Sequence, residues 1–387
     1  MAADTVTKVT KQSWGSRLGG SFKGIGAGLI IFLIAFPLLF WNEGRSVKRH
    51  KSLKEGAGIV TSINSDSVNP SYNQKLVHVS GQIATEEILS DPLFPGVSVN
   101  ALKLRRNVKM YQWIESSKSE TKKKVGGGTE TITTYSYAKG WSDKVIDSSQ
   151  FEEPSGHINP GSMPFSGQEF QASQVTLGAF YVPSNIVAGL SYAERFRVPE
   201  NAKSKTHMSQ VTDGSLYIGY NPASPTVGDI RIEYDAVFPG LYSLVAKQTS
   251  GTFAPYRTKA GGDILLVKPG FHDADSMFQA AQSENRILTW ILRLVGFLMM
   301  FIGLKMVFEP LGVLADVLPF LGTLLRLGTG LVAGILAFVL TLVTIAIAWL
   351  FYRPILGVIL LVVAGGALYI LRKKWRGKKA AAAAAAG

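Results

Sequence analysis

Three long apolar runs toward the end of this 387-residue chain constrain its fold more than any other feature. Each run is about as long as a helix must be to cross roughly 30 Å of hydrocarbon. A core helix of a soluble protein keeps a polar face, whereas these runs are apolar all round. A basic cluster with a tryptophan follows the last run, which is typical of a helix end at lipid headgroups. We interpret residues 287–308, 328–352 and 355–371 as spans, and residues 372–376 as the cluster.

A further apolar run lies near the start of the chain, at residues 24–41. A cleaved signal peptide would end in small residues of the A-x-A kind, and this run ends in Trp41 instead. The alternatives are therefore an uncleaved signal and a first transmembrane helix, and the interfacial tryptophan favours the helix. Residues 1–23, which are polar and basic, are expected to form a mobile N-terminus.

The middle of the chain, residues 42–270, has the composition of a soluble domain. Short runs of β-branched and aromatic residues alternate there with turn residues, which is typical of strands. Residues 91–96 and 235–240 share an Asp-x-x-Phe-Pro-Gly pattern and suggest two related halves, although so short a match also arises by chance. We therefore expect an α+β membrane protein with four transmembrane helices and a large β-rich extramembrane domain between the first and second spans.

The segments that flank the later spans complete the predicted organisation. Residues 271–308 should form a stalk helix that continues into the second span. Residues 309–327 are apolar but contain Asp316, and a buried carboxylate is costly in lipid, so this segment should be interfacial or re-entrant. Residues 328–352 and 355–371 then form the third and fourth spans, and residues 372–387 form a basic C-terminus that ends in an alanine linker.

Two groups of residues in the predicted spans are candidates for a structural or functional role. Glycines that recur every four residues let membrane helices approach closely, although glycine is also common in such helices for other reasons. Charged residues near span ends either reach the interface along the lipid surface or mark an ion pathway. The candidate packing residues are Gly24, Gly28, Gly330 and Gly334, and the candidate charges are Arg293, Lys305, Asp316, Arg326 and Arg353.

Charge and motif content argue against an enzyme and against a nucleic-acid-binding protein. The formal net charge of +13 lies largely at the two ends of the chain, where it suits anionic headgroups. There is no cysteine, hence neither a disulfide nor a thiolate site. The five histidines lack metal-ligand spacing, and no nucleophile or phosphate-binding motif is present. His157 lies in a turn where a structural role is favoured over that of a general base. We expect no cofactor and no metal.

Several stretches resemble the LUMA family, also called transmembrane protein 43. The resemblance rests on Asn42-Glu43-Gly44-Arg45, on residues 102–106 and 110–113, and on residues 349–354, with shorter matches in the same order between them. It implies four spans and a large domain between the first two. In animal members that domain lies in the endoplasmic reticulum lumen or perinuclear space. The family is described as self-associating membrane organisers that bind nuclear-envelope proteins, and a channel-like activity has been suggested. No catalytic residue transfers.

The predicted function is that of a multi-pass membrane scaffold. Its partners would be the lipid bilayer, further copies of the chain and other membrane proteins, with no nucleic acid. The alternatives are an ion channel or transporter component and an outer-face sensor of lipid or peptide. With four spans both basic termini would be cytoplasmic and the large domain outside. We expect the plasma membrane of a bacterium, or the endoplasmic reticulum or nuclear envelope in a eukaryote.

Overall fold

The computed structural model describes residues 4–192, 194–355 and 359. They fall into two compact units. The first, here called the β-rich unit, contains residues 4–11, 52–122 and 130–281. The second, the helical unit, contains residues 12–51, 123–129 and those from 282 onward.

Three helices in the described residues are long and apolar enough to cross a membrane. The prediction of four spans is therefore wrong, whereas the β-rich region between the first and second is confirmed. The predicted fourth span, 355–371, and the basic C-terminus, 372–387, lie outside the described residues apart from Ile355 and Ile359. The long helices are α1 (Trp14–Ile59), α3 (Ala274–Ala315) and α4 (Pro319–Tyr352), and a short helix, α2, covers Ser184–Ala188.

The long helices extend well beyond their apolar runs. Helix α1 was predicted over residues 24–41 but continues through the polar residues on both sides, because Asn42 and Glu43 are buried among helices rather than exposed to water. Helix α3 passes Pro310 without ending, and a three-residue loop at 316–318 leads directly into α4. Residues 309–327 therefore contain the end of α3, the loop and the start of α4, and the carboxylate of Asp316 is paired where it is buried.

Within the helical unit, α3 runs antiparallel to both α1 and α4. Residues Gly28 and Leu39 of α1 lie against Gly303 and Gly296 of α3, respectively, so that the numbering rises in one helix and falls in the other. A small apolar core joins the three helices. It contains Ala35 and Leu39 of α1, Met300 of α3 and Ala337 of α4. Small residues at such contacts let the backbones approach closely.

Nineteen strands are found in the described part of the chain. The first eleven are β1 (Thr5–Gln12), β2 (Thr61–Ile63), β3 (Leu76–Ala84), β4 (Ile88–Ser90), β5 (Ser98–Asn100), β6 (Lys103–Lys123), β7 (Thr129–Ser142), β8 (Gln168–Gln171), β9 (Thr176–Leu177), β10 (Phe180–Tyr181) and β11 (Glu194–Phe196). The others are β12 (Gln210–Thr212), β13 (Ser215–Ile218), β14 (Ile230–Val237), β15 (Gly240–Thr249), β16 (Thr252–Ala254), β17 (Tyr256–Arg257), β18 (Asp263–Ile264) and β19 (Leu266–Pro269). Two single turns of 3-10 helix cover Pro70–Tyr72 and Ser148–Gln150.

The strands form two large sheets. The eight-stranded sheet has the order β1-β7-β6-β14-β13-β12, with β8 beside β6 and β11 beside β14. The seven-stranded sheet has the order β19-β15-β16-β10-β9-β3-β2, and a direct pairing of β15 with β3 closes it on itself. Strand β1 lies in residues predicted to be mobile, and it is ordered because it adds an edge strand to β7.

One hydrophobic core fills the space between these sheets. Alternate residues of β14 are buried, as expected for a strand with one face on a core. The residues of β3 and β15 meet those of β6 and β14 there, for example Val79, Leu244, Leu104 and Ile232. Because β14 pairs with β6 and β15 pairs with β3, early and late strands are interleaved, and the two related halves suggested by the sequence pattern are not separate bodies.

Candidate functional site

The described polar residues of the helical unit gather in two clusters, and the first surrounds Glu43 of α1. The Glu43 side chain is almost completely buried and accepts two hydrogen bonds from Arg293 of α3, with Oε1 2.6 Å from Nε and Oε2 2.9 Å from Nη2. Its Oε2 also lies 2.8 Å from Nε1 of Trp349 in α4, which donates to it. A carboxylate away from water is tolerated only with such partners. One side chain therefore links all three long helices.

A second layer of hydrogen bonds surrounds this ion pair. Arg45 donates to Asn285 at 3.0 Å, to Asn42 at 3.2 Å and to Thr289 at 3.1 Å. These acceptors are all uncharged, so Arg45 adds a positive charge that none of these three bonds neutralises. Asn285 in turn donates to the backbone oxygen of Ser46 at 3.0 Å. We call the whole group the Glu43 cluster: Asn42, Glu43, Arg45, Ser46, Asn285, Thr289, Arg293 and Trp349.

A cavity of about 560 Å³ lies beside the Glu43 cluster. Three arginines line it: Arg286 of α3, Arg293 of the ion pair, and Arg353 directly after α4. Two tryptophan rings line it as well, and the Arg293 guanidinium lies 4.8 Å from the ring centre of Trp290 and 5.8 Å from that of Trp349. The cationic and aromatic lining residues are His50, Arg286, Trp290, Arg293, Trp349 and Arg353.

The second cluster surrounds Asp316 in the loop between α3 and α4. Its carboxylate is fully buried and accepts two bonds of 2.7 Å from Arg326. Arg17 of α1 donates to it at 2.6 Å and Lys123 at 3.0 Å, so three cations share one carboxylate. Burial disfavours the charged form, but the hydrogen bonds from these cations outweigh it and hold the pKa of Asp316 below its usual range.

Backbone contacts fix the same loop from two other segments of the helical unit. The indole Nε1 of Trp14, at the start of α1, donates to the Val313 oxygen at 2.8 Å. The tip of the β6–β7 hairpin supplies the Gly126 N–H, which donates to the Val317 oxygen at 3.1 Å, and the Gly127 oxygen accepts from Arg17. The Asp316 cluster (Arg17, Lys123, Asp316 and Arg326) therefore ties the start of α1 to the α3–α4 loop.

The predicted packing glycines occupy different environments. Gly28 lies at a close approach of two helices, where an added Cβ would come within 2.7 Å of Met306 Cβ and 2.8 Å of the Gly303 oxygen. An added Cβ at Gly334 would make an ordinary contact with Phe301 at 3.7 Å. For Gly24 and Gly330 no described atom lies within 4 Å of such a Cβ. Gly28 thus packs against α3 within the chain, whereas Gly24 and Gly330 have no described neighbour at this distance.

The predicted charges also separate into groups. Asp316 and Arg326 are brought together, whereas Arg293 lies in the Glu43 cluster and Arg353 lies 5.8 Å from the ring centre of Trp349. Lys305 is exposed. Sequence reasoning missed Glu43, Arg17 and Lys123 as their partners. A signal for Glu43 was present, because a polar Asn42-Glu43 pair that continues an apolar helix must be sheltered or paired.

Two buried groups in the β-rich unit have structural partners. His157 is stacked on Tyr137 with ring centres 3.9 Å apart, and its two ring nitrogens lie 2.8 Å from the Glu153 oxygen and 2.9 Å from Asp4 Oδ2. These contacts hold the His157 ring in place within the β-rich unit. The carboxylate of Asp91 accepts from Arg106 at 2.6 and 2.8 Å and from the Tyr234 hydroxyl at 2.8 Å, all three side chains being buried.

Comparison with known proteins places this architecture in a family. The family model described as transmembrane protein 43 matches residues 110–354. Transmembrane protein 43 of Mus musculus is 34% identical over 365 residues, which is 90% of each chain. The Homo sapiens protein is 34% identical over 354 residues, 88% of this chain and 87% of its own. The homolog of Drosophila melanogaster is 30% identical over 346 residues, 86% of this chain and 90% of its own.

No solved structure matches the chain. The matched residues of the family model include most of the β-rich region, helices α3 and α4, and the Arg293, Asp316 and Arg326 positions. The resemblance inferred from the sequence is confirmed, and this integral membrane protein belongs to the transmembrane protein 43 family.

Proposed function

We propose that this protein is a membrane scaffold, which self-associates through its helices and binds other membrane proteins through its β-rich unit. The observation that carries the proposal is the use of the buried charges. Glu43, Asp91 and Asp316 are each held by cations of the same unit, so each carboxylate stabilises a frame within its own unit. A frame of this kind, anchored by long apolar helices, suits a platform for assembly.

Self-association is supported by the open glycines of the helical unit. Gly24 on α1 and Gly330 on α4 present a backbone surface with no described neighbour within 4 Å of an added Cβ. In lipid the hydrophobic effect does not bring helices together, so close packing at such surfaces contributes much of the association. We therefore assign the contact between copies to the faces around Gly24 and Gly330, and not to Gly28.

The mass of the assembly in nanodiscs or mild detergent tests this proposal. The wild-type protein should run as a closed homo-oligomer. The double variant Gly24→Leu with Gly330→Leu should shift to smaller species, because a leucine at each contact holds the helices apart. Gly26→Leu with Gly328→Leu is the matched control, since both positions are also open but lie about 200° around each helix from the first pair. A wild-type protein that is monomeric in nanodiscs would show the proposal to be wrong.

A further inference from the structure

The cavity beside the Glu43 cluster combines charge, aromatic rings and depth in a way that neither the fold nor the scaffold proposal uses. We propose that it binds the phosphate group of an anionic phospholipid headgroup. The inference is independent of self-association, because the cavity lies between helices of a single chain.

The cavity carries a surplus of positive charge. Arg286, Arg293 and Arg353 line the cavity, and no carboxylate is among the lining residues in the described part of the chain. Glu43 neutralises Arg293 from behind. The other two arginines contact uncharged groups: the Ser283 hydroxyl lies 3.4 Å from Arg286, and the Trp349 indole ring lies near Arg353. A guanidinium presents paired N–H donors that match phosphate oxygens. An anion bound here would therefore stabilise the site.

The position of the cavity along the helices matches the membrane–water interface. Each long helix carries a tryptophan at the end of its apolar run, and two of the three are exposed: Trp41, Trp290 and Trp349. Tryptophan is enriched at the membrane–water interface. From these residues the apolar runs extend to positions 24, 308 and 328, about 27–33 Å at the rise of an α-helix, which matches the hydrocarbon thickness. The arginines therefore lie at the depth of lipid phosphates.

The surface next to the cavity is apolar, which points to a lipid as the source of the phosphate. Large apolar side chains next to the cavity on α3 and α4 are exposed, including Ile291, Leu294 and Phe351. In a bilayer these side chains contact acyl chains, so a headgroup in the cavity keeps its own chains on an apolar surface. Basic pockets between membrane helices are known to bind anionic headgroups in this way. Free inorganic phosphate would contact only the arginines and not the apolar surface.

Thermal unfolding of the full chain in a neutral detergent tests the proposal. The probes are dioctanoylphosphatidylglycerol, dioctanoylphosphatidylcholine and inorganic phosphate, each titrated at constant ionic strength. A ligand that binds only the folded protein raises its Tm, and above the Kd the rise grows with the logarithm of ligand concentration. We expect phosphatidylglycerol to raise the Tm in this way and phosphatidylcholine to do so much less. Equal shifts with both lipids would overturn the choice of an anionic headgroup, and an equal shift with inorganic phosphate would overturn the choice of a lipid.

Substitution of the two arginines outside the ion pair locates the site. Arg286→Gln with Arg353→Gln should weaken phosphatidylglycerol binding by about tenfold or more, and the exposed Arg286→Gln alone serves if the double variant fails to fold. The matched control is Lys23→Gln with Lys305→Gln, which removes two exposed positive charges from α1 and α3 away from the cavity. Unchanged binding in the arginine variants, or equal loss in the control, would overturn the proposal.

Discussion

At the scale of single residues, the buried ion pair of Asp91 and Arg106 gives a sharp prediction for the β-rich unit. Asp91→Asn leaves the Arg106 guanidinium buried without a counter-charge, and the cost of breaking such a pair is about 3–5 kcal/mol. Asp235→Asn is the control, because Asp235 pairs with Arg105 where both side chains are partly exposed, and that pair contributes less than about 1 kcal/mol. The Tm followed by circular dichroism in detergent should fall strongly only for Asp91→Asn. Equal shifts would contradict the assignment of Asp91 to the core.

His157 makes the stability of the β-rich unit depend on pH. Burial opposes its charged form, but its hydrogen bonds with the Asp4 carboxylate and the Glu153 oxygen outweigh that and raise the pKa of His157 above 6.5. The contribution is therefore complete below about pH 6.5, the ordinary value for the unfolded chain, and is lost as pH rises through the raised pKa. The Tm difference between the wild type and His157→Gln should shrink from pH 6 to pH 9. A Tm difference that does not change with pH would show that the charged form of His157 does not contribute to stability.

The partners of individual charges were the least predictable part of the molecule. The sequence offered no partner for Arg293, which pairs with Glu43, a residue 250 positions away. It offered none for Asp316, which is buried among Arg17, Lys123 and Arg326. Sequence periodicity reports which face of a helix is apolar, but not which distant element covers it.

At the scale of elements, the existence of the membrane helices could be predicted and their ends could not. An apolar run of about 20 residues has few alternatives to a helix in lipid. The ends depend on tertiary contacts instead. Helix α1 continues to Ile59 because Leu53 is buried with Phe278 and Ile264 in a second hydrophobic cluster of the β-rich unit. Strand β6 likewise extends to Lys123, through polar residues that are held in the strand by pairing with β7.

The contact between α1 and α3 at Gly28 predicts how the helical unit tolerates a side chain. An added Cβ at Gly28 meets the backbone oxygen of Gly303 at 2.8 Å, which cannot move without displacing α3. Gly28→Leu should therefore lower the Tm of the full chain in detergent and increase protease cleavage of the helices. Gly26→Leu should leave both unchanged, because no described atom lies within 4 Å of an added Cβ there. If Gly28→Leu were equally well tolerated, α1 and α3 would not pack at this point.

At the scale of the whole molecule, the two polar clusters lie at the two ends of the apolar bundle. The Glu43 cluster joins α1, α3 and α4 near Trp41, Trp290 and Trp349. The Asp316 cluster joins the other end of α1 to the α3–α4 loop. In each cluster, protein groups take the place of water around charges that would be costly in hydrocarbon. The two clusters together contribute to fixing the register of the helices. The polar contacts therefore act together with the close approach at Gly28 and the small apolar core in fixing the register of the helices.

Three spans rather than four change the expected sidedness of the described chain. Ser13 lies directly before α1, Lys51 lies within α1 beyond its apolar run, and Pro354 follows α4. If α1, α3 and α4 all cross the membrane, Lys51 and Pro354 lie on the side opposite Ser13. Strand β1 before α1 and strand β2 after it belong to the same β-rich unit, and an α1 that crosses the membrane requires β1 to leave its place beside β7. The two ends of the apolar run of α1 are therefore the decisive positions. Because the chain has no cysteine, a single cysteine at each of these exposed positions gives a clean label.

We expect a membrane-impermeant maleimide to label Lys51→Cys and Pro354→Cys on intact cells, and to label Ser13→Cys only after the membrane is permeabilised. The physical reason is the excess of basic residues before the first apolar run, which favours the cytoplasm for that flank: Lys8, Lys11, Arg17 and Lys23. Total labelling after detergent solubilisation corrects for expression of each variant. Labelling of Ser13→Cys and Lys51→Cys from the same side would show that α1 lies along the membrane instead of crossing it, and would leave α3 and α4 as a helical hairpin that enters and leaves on one side.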